Sequence, residues 1–345
     1  MSQETLPKVS ILIPTRNRAG LLAQALGSAL AQDYPRLEII VSDNASEDET
    51  PRLAQRCVDP RLVWRRFEAN VGLDANWRAL LYDYAGGDYV KVLADDDYLV
   101  DPAHVSKAVA LARETGARAV FAGACVRLEP SGDLAERDWD LPAACGPELW
   151  MKRLGCWQGV KVVFPNLVSC AVFRRDDAVR LGAFRDPVFG MDYQLAFQFM
   201  LGGPTAYLRG RQCVLRRDTA KGGNDGVNAP LETVLSSLRL YERTLAFGRS
   251  QGLPEKQLRH FCRNAAAVLA AGFVAPAWAR DRGTGWRSLA ALYRTIAAVD
   301  AGLARRSLRH PTMLSSLLLG PSSPAFRALY GLYNRLRRSN IGGRL

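Results

Sequence analysis

Three consecutive carboxylates, Asp95, Asp96 and Asp97, follow directly on the apolar run Tyr89-Val90-Lys91-Val92-Leu93-Ala94. Like charges crowded in this way repel and raise one another's pKa values unless a cation or hydrogen-bond donors keep them ionised. An all-oxygen cluster of this kind suits a hard divalent ion such as Mg2+ or Mn2+, for which Asp95, Asp96 and Asp97 are the candidate ligands. A solvated acidic turn is the blander and commoner fate of a charge run. What favours the metal is a second carboxylate in an equivalent place, Asp43, which follows the strand-like Leu37-Glu38-Ile39-Ile40-Val41-Ser42. Carboxylates at two strand ends mark a site.

The elements that must position these residues alternate along the first part of the chain. Val9-Ser10-Ile11-Leu12-Ile13 is a short apolar run closed by Pro14, and Leu22, Leu26 and Leu30 then repeat at helical spacing. The same alternation predicts a strand at Leu37 to Ser42, a capped helix from Ser46 to Arg56, a strand at Leu62 to Phe67, and a helix from Leu73 to Tyr84. A strand at Asp88 to Ala94, a helix from Pro102 to Thr115 and a strand at Ala119 to Arg127 follow. Repeated strand-helix units predict an α/β fold with a doubly wound, mostly parallel sheet covered on both faces. In such sheets the ligand crevice lies outside the carboxyl ends of the strands. Pro14, Thr15, Arg16, Asn17, Asp43 and the triplet all fall on that edge.

Residues 128–229 are more irregular, with strand signals at Leu167 to Phe173 and Ala206 to Leu208, and are expected to complete the same domain around a second pocket. From Pro230 onward the pattern is helical. The organisation expected is therefore 1–127, 128–229 and a basic helical region, 230–345. The uncharged stretch Asn264 to Ala279 is short for a bilayer span and is broken by Pro276, so a buried or interfacial helix is expected there.

At 345 residues and 48% hydrophobic content the chain can bury one large core or two modest ones. Its net charge of +12 is uneven: residues 231–345 carry 18 Lys and Arg against 5 Asp and Glu, or +13, which leaves −1 for residues 1–230. No helix-turn-helix, zinc finger or aromatic RNA-binding signature accompanies the basic third, so nucleic acid is not an expected partner. Its arginines are interleaved with Leu, Trp, Tyr and Phe, which fits an anionic membrane surface better. The first residues have no basic start and no apolar stretch, so no secretory signal is expected. Seven scattered cysteines without a Cys-x-x-Cys pair read as reduced, mostly buried thiols of a cytoplasmic protein.

There is no Gly-x-Gly-x-x-Gly after the first strand and no phosphate-loop motif, so neither a dinucleotide oxidoreductase nor a nucleoside triphosphatase is supported. Phosphates here must be handled by a cation: an ion at the triplet can bridge two phosphate oxygens and neutralise the charge that grows as a diphosphate leaves.

Four ordered segments carry a resemblance: Val9-Ser10-Ile11-Leu12-Ile13-Pro14-Thr15-Arg16-Asn17-Arg18; Val41-Ser42-Asp43-Asn44-Ala45-Ser46 with Thr50; Asn70-Val71-Gly72 with Asn76; and Leu93-Ala94-Asp95-Asp96-Asp97-Tyr98-Leu99. Together they resemble glycosyltransferase family 2, inverting enzymes of the GT-A fold. The resemblance implies that Pro14, Thr15, Arg16, Asn17, Asp43 and Asn70 line the nucleotide of a nucleotide-diphosphate sugar. It makes two of Asp95, Asp96 and Asp97 the metal and diphosphate contact, either Asp95 and Asp97 as an Asp-x-Asp pair or Asp96 with Asp97. Relatives often carry a Glu-Asp pair at a helix start after a Gly-x-Phe turn. Here Gly182-Ala183-Phe184 leads to Met191-Asp192, so Asp192 takes the place of the base that deprotonates the acceptor hydroxyl. It is also well suited to capping a helix, and the two roles are compatible.

Arg217, in Arg216-Arg217-Asp218-Thr219-Ala220-Lys221-Gly222-Gly223, is a candidate diphosphate contact on a loop that closes over the donor, with a plain surface turn as the alternative. Trp139, Trp150 and Trp157 are expected to serve packing before acceptor stacking, and His104, His260 and His310 to be structural or exposed. The family implies transfer to a glycan or lipid-linked glycan in cell-surface polysaccharide synthesis, with the protein cytoplasmic or peripheral at the inner face of the membrane. Two other readings stay open from the residues. A sugar-nucleotide pyrophosphorylase shares the sheet and the metal, although its usual Gly-rich basic loop is missing from Pro14-Thr15-Arg16-Asn17-Arg18. A non-catalytic nucleotide-binding or membrane-docking module would place the function in the basic third.

Overall fold

The computed structural model describes residues 6–129, 131–155, 168–186, 188–218, 230–309 and 311–319. Two compact units emerge, one of residues 1–146, 165–187 and 191–217, the other of residues 147–164, 188–190 and 218–345.

The first unit opens with β1 (Val9–Thr15), α1 (Ala19–Leu30), β2 (Leu37–Asp43), α2 (Thr50–Arg56), β3 (Leu62–Arg66), α3 (Leu73–Ala79), β4 (Tyr89–Val92), β5 (Tyr98–Leu99) and α4 (His104–Thr115). It continues through β6 (Ala119–Glu129), β7 (Asp133–Arg137) and β8 (Ala144–Cys145). After α5 (Pro147–Gly155), which belongs to the second unit, come β9 (Ala171–Arg174), α6 (Arg175–Arg180), α7 (Met191–Gly202) and β10 (Thr205–Asp218). The strands form one sheet in the order β3-β2-β1-β4-β9-β6-β10-β5, with β7 paired to β6 and β8 to β10.

The half of this sheet made by β3, β2, β1 and β4 is parallel. Beyond β4 the partners β9, β6 and β7, and β5 and β8 on β10, run antiparallel. The α/β class is as expected. β1 is buried at every position because it lies in the middle of the parallel half with helices over it, which is why its sequence is nearly continuously apolar. Leu22, Ala25, Leu26 and Ala29 of α1 close the core over Ile11, Ile13, Ile39 and Val41.

Three local expectations need correction. The helix expected from Ser46 starts at Thr50 instead, because the Ser46 N–H is held by Asp43 Oδ1 at 2.9 Å and its hydroxyl accepts the Asn17 N–H at 2.9 Å. The strand expected at Ala206 to Leu208 is the 14-residue β10. Pro276 does not interrupt its helix: α10 (Glu255–Leu269) runs through a π-helical turn, Ala270–Val274, into α11 (Ala275–Arg282). The wider π turn lies where a proline ring would meet the carbonyl of the preceding turn, and its slack accommodates the missing N–H.

The second unit is helical, with α8 (Leu231–Leu235), α9 (Arg239–Ser250), α10 and α11, α12 (Trp286–Val299), α13 (Ala301–Leu308) and α14 (Pro311–Leu319). The 28-residue helix Glu255–Arg282 is long and apolar enough to cross a membrane by length and composition, yet 72% of its most apolar stretch is buried within the protein. Asp300 ties three helices of this unit together. Its Oδ1 accepts the Leu303 N–H that opens α13 at 2.7 Å, Arg263 of α10 grips both oxygens at 2.7 and 2.9 Å, and the Tyr241 hydroxyl of α9 donates at 2.8 Å.

Candidate active site

Strand register puts the polar residues in line. Asp43 is the Cα partner of Thr15 on one side and of Arg66 on the other. On the far side of β1, Leu12 faces Val92, and the Leu93 N–H donates to the Leu12 carbonyl at 2.9 Å. The chain leaving β4 thus delivers Asp95 beside Thr15, whose hydroxyl donates to Asp95 Oδ2 at 2.8 Å. Arg66, Asp43, Thr15 and Asp95 therefore come from four neighbouring strands at one carboxyl edge.

The backbone around this edge is strained. Asn17, Ala45 and Ser169 all hold φ values in the left-handed region, 53°, 56° and 63°. Such conformations each cost roughly 1–3 kcal/mol for non-glycine residues and collect where surrounding contacts over-determine a functional geometry. Asn17 is held by its N–H to Ser46 Oγ and by its side-chain oxygen, which accepts the Glu47 N–H at 2.7 Å. Ser169 accepts the Ala94 N–H on its hydroxyl at 3.1 Å and the Lys91 Nζ on its carbonyl at 2.8 Å. Lys91 is fully buried, and burial pulls its ammonium below the ordinary lysine value.

The acidic residues differ in their surroundings. Burial pushes the Asp95 carboxyl up to about 6, against the pull of the Arg18 guanidinium and the Thr15 hydroxyl, with the Asp96 charge adding to the rise. Arg18 Nη1 lies 3.1 Å from Asp95 Oδ1 and 3.2 Å from Asp96 Oδ2. Asp97 is turned toward the other side, where its Oδ1 accepts the Arg216 N–H of β10 at 2.9 Å. Among the described residues no group of three His, Cys, Asp or Glu side chains forms a ready metal cage. Two carboxylate oxygens that already converge on one cationic nitrogen do fit Mg2+ or Mn2+, which are commonly held by one or two carboxylates plus substrate phosphates.

Asp43 is buried, and both its oxygens are engaged, one by the Ser46 N–H and one by the Arg66 guanidinium. Asn44 clamps the next segment: its amide donates to Asn70 Oδ1 at 2.8 Å and its oxygen accepts the Val71 N–H at 2.8 Å. Pro14 and Thr15 are buried at the edge, and Arg16 and Asn70 are exposed on it. Asp192 is half-buried in the first turn of α7, where the helix N-terminus favours an ionised carboxylate. The turn before it is pinned, with Phe184 at φ 61°, its ring edge-on to Trp77 at 5.1 Å, and the Ala183 carbonyl accepting the Tyr82 hydroxyl at 3.0 Å.

Arg217 lies one residue before the end of β10, but its side chain lies outside the described residues, as do Thr219 to Gly223, Trp157 and His310. Trp150 is buried and Trp139 packs edge-on against Tyr207 at 5.7 Å, both as packing residues; His104 is buried and His260 exposed. The six cysteines described are free, five of them buried. Sequence reasoning missed Arg66, Lys91 and Ser169. A lysine inside an apolar strand was the one visible signal among them, since the others depend on which strand lies next door.

Comparison with known proteins gives the same picture. The family model for glycosyl transferase family 2 matches residues 10–181, about half of the chain and the part that carries all four strand-edge segments. The chain is 28% identical over 64% of its length to the O-antigen biosynthesis protein RfbC of Myxococcus xanthus, covering 18% of that protein. It is 37% identical over 38% of its length to a GalNAc(5)-diNAcBac-PP-undecaprenol beta-1,3-glucosyltransferase of Campylobacter jejuni, covering 42% of it. The matches thus span less than half the length of these curated relatives. Among solved structures, TarS of S. aureus in complex with UDP superposes with a TM-score of 0.58 at 14% identity, over 89% of this chain and 90% of that one. The mannosyltransferase PcManGT of Pyrobaculum calidifontis, in complex with GDP-Man and Mn2+, gives 0.51 at 20% identity over 90% and 87%. These neighbours share the GT-A fold, and the segments that the family model recognises are the ones that the sheet gathers at a single edge: the chain belongs to glycosyl transferase family 2.

Proposed function

We propose that the chain is an inverting glycosyltransferase that moves a sugar, a hexose or deoxyhexose, from a nucleotide-diphosphate donor to a hydroxyl of a glycan or lipid-linked glycan during cell-surface polysaccharide synthesis. The observation that carries this reading is the row Arg66, Asp43, Thr15 and Asp95 on four adjacent strands. The nucleoside lies over Asp43 and its Arg66 partner, bordered by Thr15, Arg16, Asn17 and the Asn70 turn that Asn44 holds. The diphosphate lies over Asp95 and Asp96. A bound Mg2+ or Mn2+ supplies Lewis-acid neutralisation of the departing diphosphate there. Asp97 anchors β10 to the site through the Arg216 N–H, and the neighbouring Arg217 is the proposed cationic contact to the phosphates. Asp192 takes the proton of the acceptor hydroxyl as its oxygen attacks the anomeric carbon on the face opposite the diphosphate, which inverts that carbon.

The Campylobacter relative acts on an undecaprenol-linked glycan, and this supports a lipid-linked acceptor here and a place at the inner face of the membrane. The helical unit offers exposed Arg239, Arg282, Arg287, Arg294 and Arg305, and Trp286 is 73% exposed beside Arg287. Such a surface suits peripheral contact with anionic lipid. The test is incubation with a panel of nucleotide sugars and glycan or undecaprenol-linked acceptors, with analysis of the products. Release of nucleoside diphosphate together with an inverted glycosidic linkage is expected. Retention of configuration, or pyrophosphate as the product, would overturn the reading.

A further inference from the structure

Arg18 lies against the two carboxylates to which the proposed function assigns the diphosphate and its metal ion. One guanidinium nitrogen is shared by carboxylates of two consecutive residues, Asp95 and Asp96, whose side chains are 8% and 35% exposed. The Arg18 side chain is 33% exposed, so it has room to move on the solvent side. Its backbone is tied down at both neighbours: the Asn17 N–H donates to Ser46 Oγ and the Ala19 N–H to Asp48 Oδ2, each at 2.9 Å. Any movement of the charge is therefore confined to the long, rotatable side chain, and the loop need not move with it.

We propose that Arg18 is a placeholder cation. It neutralises the Asp95 and Asp96 pair, and it would swing to the donor diphosphate when those carboxylates take up an ion. This rests on the reading of the edge as a metal-assisted donor site. Two like charges on adjacent residues repel, and among the described residues Arg18 brings one cationic nitrogen to both carboxylates. A guanidinium pairs with phosphate oxygens in the same forked geometry that it uses for carboxylates, so a diphosphate is a competitive new partner. The consequence is coupling. A free ion must displace Arg18 and binds weakly, whereas a donor that draws Arg18 away opens the carboxylates, and by linkage the ion favours the donor to the same extent. Arg18 is in this sense a positioning residue that makes ion and donor arrive together.

The test is titration of Mn2+ alone into the full chain, without nucleotide, followed by the electron paramagnetic resonance signal of the free ion. Removing the competitor frees the two carboxylate oxygens that Arg18 holds, so Arg18→Gln is expected to bind Mn2+ about fivefold or more tightly than the wild type. Arg18→Lys keeps the charge in place and stays near wild type. Arg52→Gln removes an equal charge, one paired with Glu49 and not with these carboxylates, and it also stays near wild type. Equal or weaker Mn2+ binding by a folded Arg18→Gln, or the same gain in Arg52→Gln, would overturn the placeholder role. That failure would leave the proposed function standing wherever the wild type still transfers sugar with inversion. Absence of Mn2+ binding in both wild type and Arg18→Gln overturns the placeholder as well, and a wild type that also transfers no sugar would take the proposed function with it.

Discussion

At the scale of single residues, the site depends on carboxylates whose roles are set by what they touch. Thr15 is the residue through which β1 reaches the triplet, and its hydroxyl is the donor to a buried oxygen of Asp95. Thr15→Val keeps the shape and removes that donor; it should lower stability by about 1.5–3 kcal/mol, the usual range for a hydrogen bond to a charged group, in urea unfolding. Thr15→Ser should recover most of the loss, and if Val and Ser behave alike the hydrogen bond is not what matters. Asp192→Asn removes the base while keeping a side chain that can cap α7. Turnover should fall by about 100- to 10,000-fold with donor affinity unchanged. Wild-type turnover in that variant would remove Asp192 from the mechanism.

At the scale of elements, much was legible in the sequence because the signals are local. Apolar runs such as Val9 to Ile13 and the Leu22, Leu26, Leu30 spacing report burial on one strand and one helix face, and β1, α1, β2, β3, β4 and α4 lie where these patterns predict. What was not legible depends on partners distant in sequence. Ser46 has every local qualification for a helix cap, yet Asp43 and Asn17 claim its groups and the helix waits until Thr50. β10 is interrupted in sequence by Arg209, Gly210, Arg211 and Gln212, and only its pairing with strands on either side makes it one element. Asp300 is a further case, for nothing near it announces a link among α9, α10 and α13. Burial alone would raise its carboxyl, but Arg263, the Leu303 N–H and the Tyr241 hydroxyl hold it down at about 2. A folded-state value below the ordinary one stabilises the fold above the unfolded carboxylate pKa of about 4 and loses that contribution as pH falls through the folded value. Asp300→Ala should therefore destabilise the helical unit by about 2 kcal/mol at neutral pH, as loss of a good cap does. The gap between variant and wild type should close as pH falls from about 4 toward 2. A gap independent of pH would show that the charge on Asp300 is not what stabilises α13.

At the scale of the whole molecule, charge is divided between the near-neutral first 230 residues and the strongly basic remainder. Within the helical unit part of this charge is spent on the fold: Arg249 and Arg259 pair with Glu255, and Arg263 with Asp300. Arg239, Arg282, Arg287, Arg294 and Arg305 are exposed, as is Trp286. Sedimentation with anionic liposomes is expected at low salt and should be lost as salt is raised, with Trp286→Ala weakening it; indifference to lipid charge would exclude this surface as the contact. The family and the fold class were both visible in four short segments, since a GT-A sheet must bring its strand ends to one edge. The identity of the cation already there was not, because Arg18 lies 77 residues from Asp95. The account turns on that edge being where the donor binds. A crystal structure with nucleoside diphosphate and Mn2+ measures this most directly. The account predicts the diphosphate and the ion against Asp95 and Asp96, the nucleoside over Asp43 and Arg66, and Arg18 turned from the carboxylates to the phosphates. Nucleotide bound elsewhere, with Arg18 still closed on Asp95 and Asp96, would contradict it.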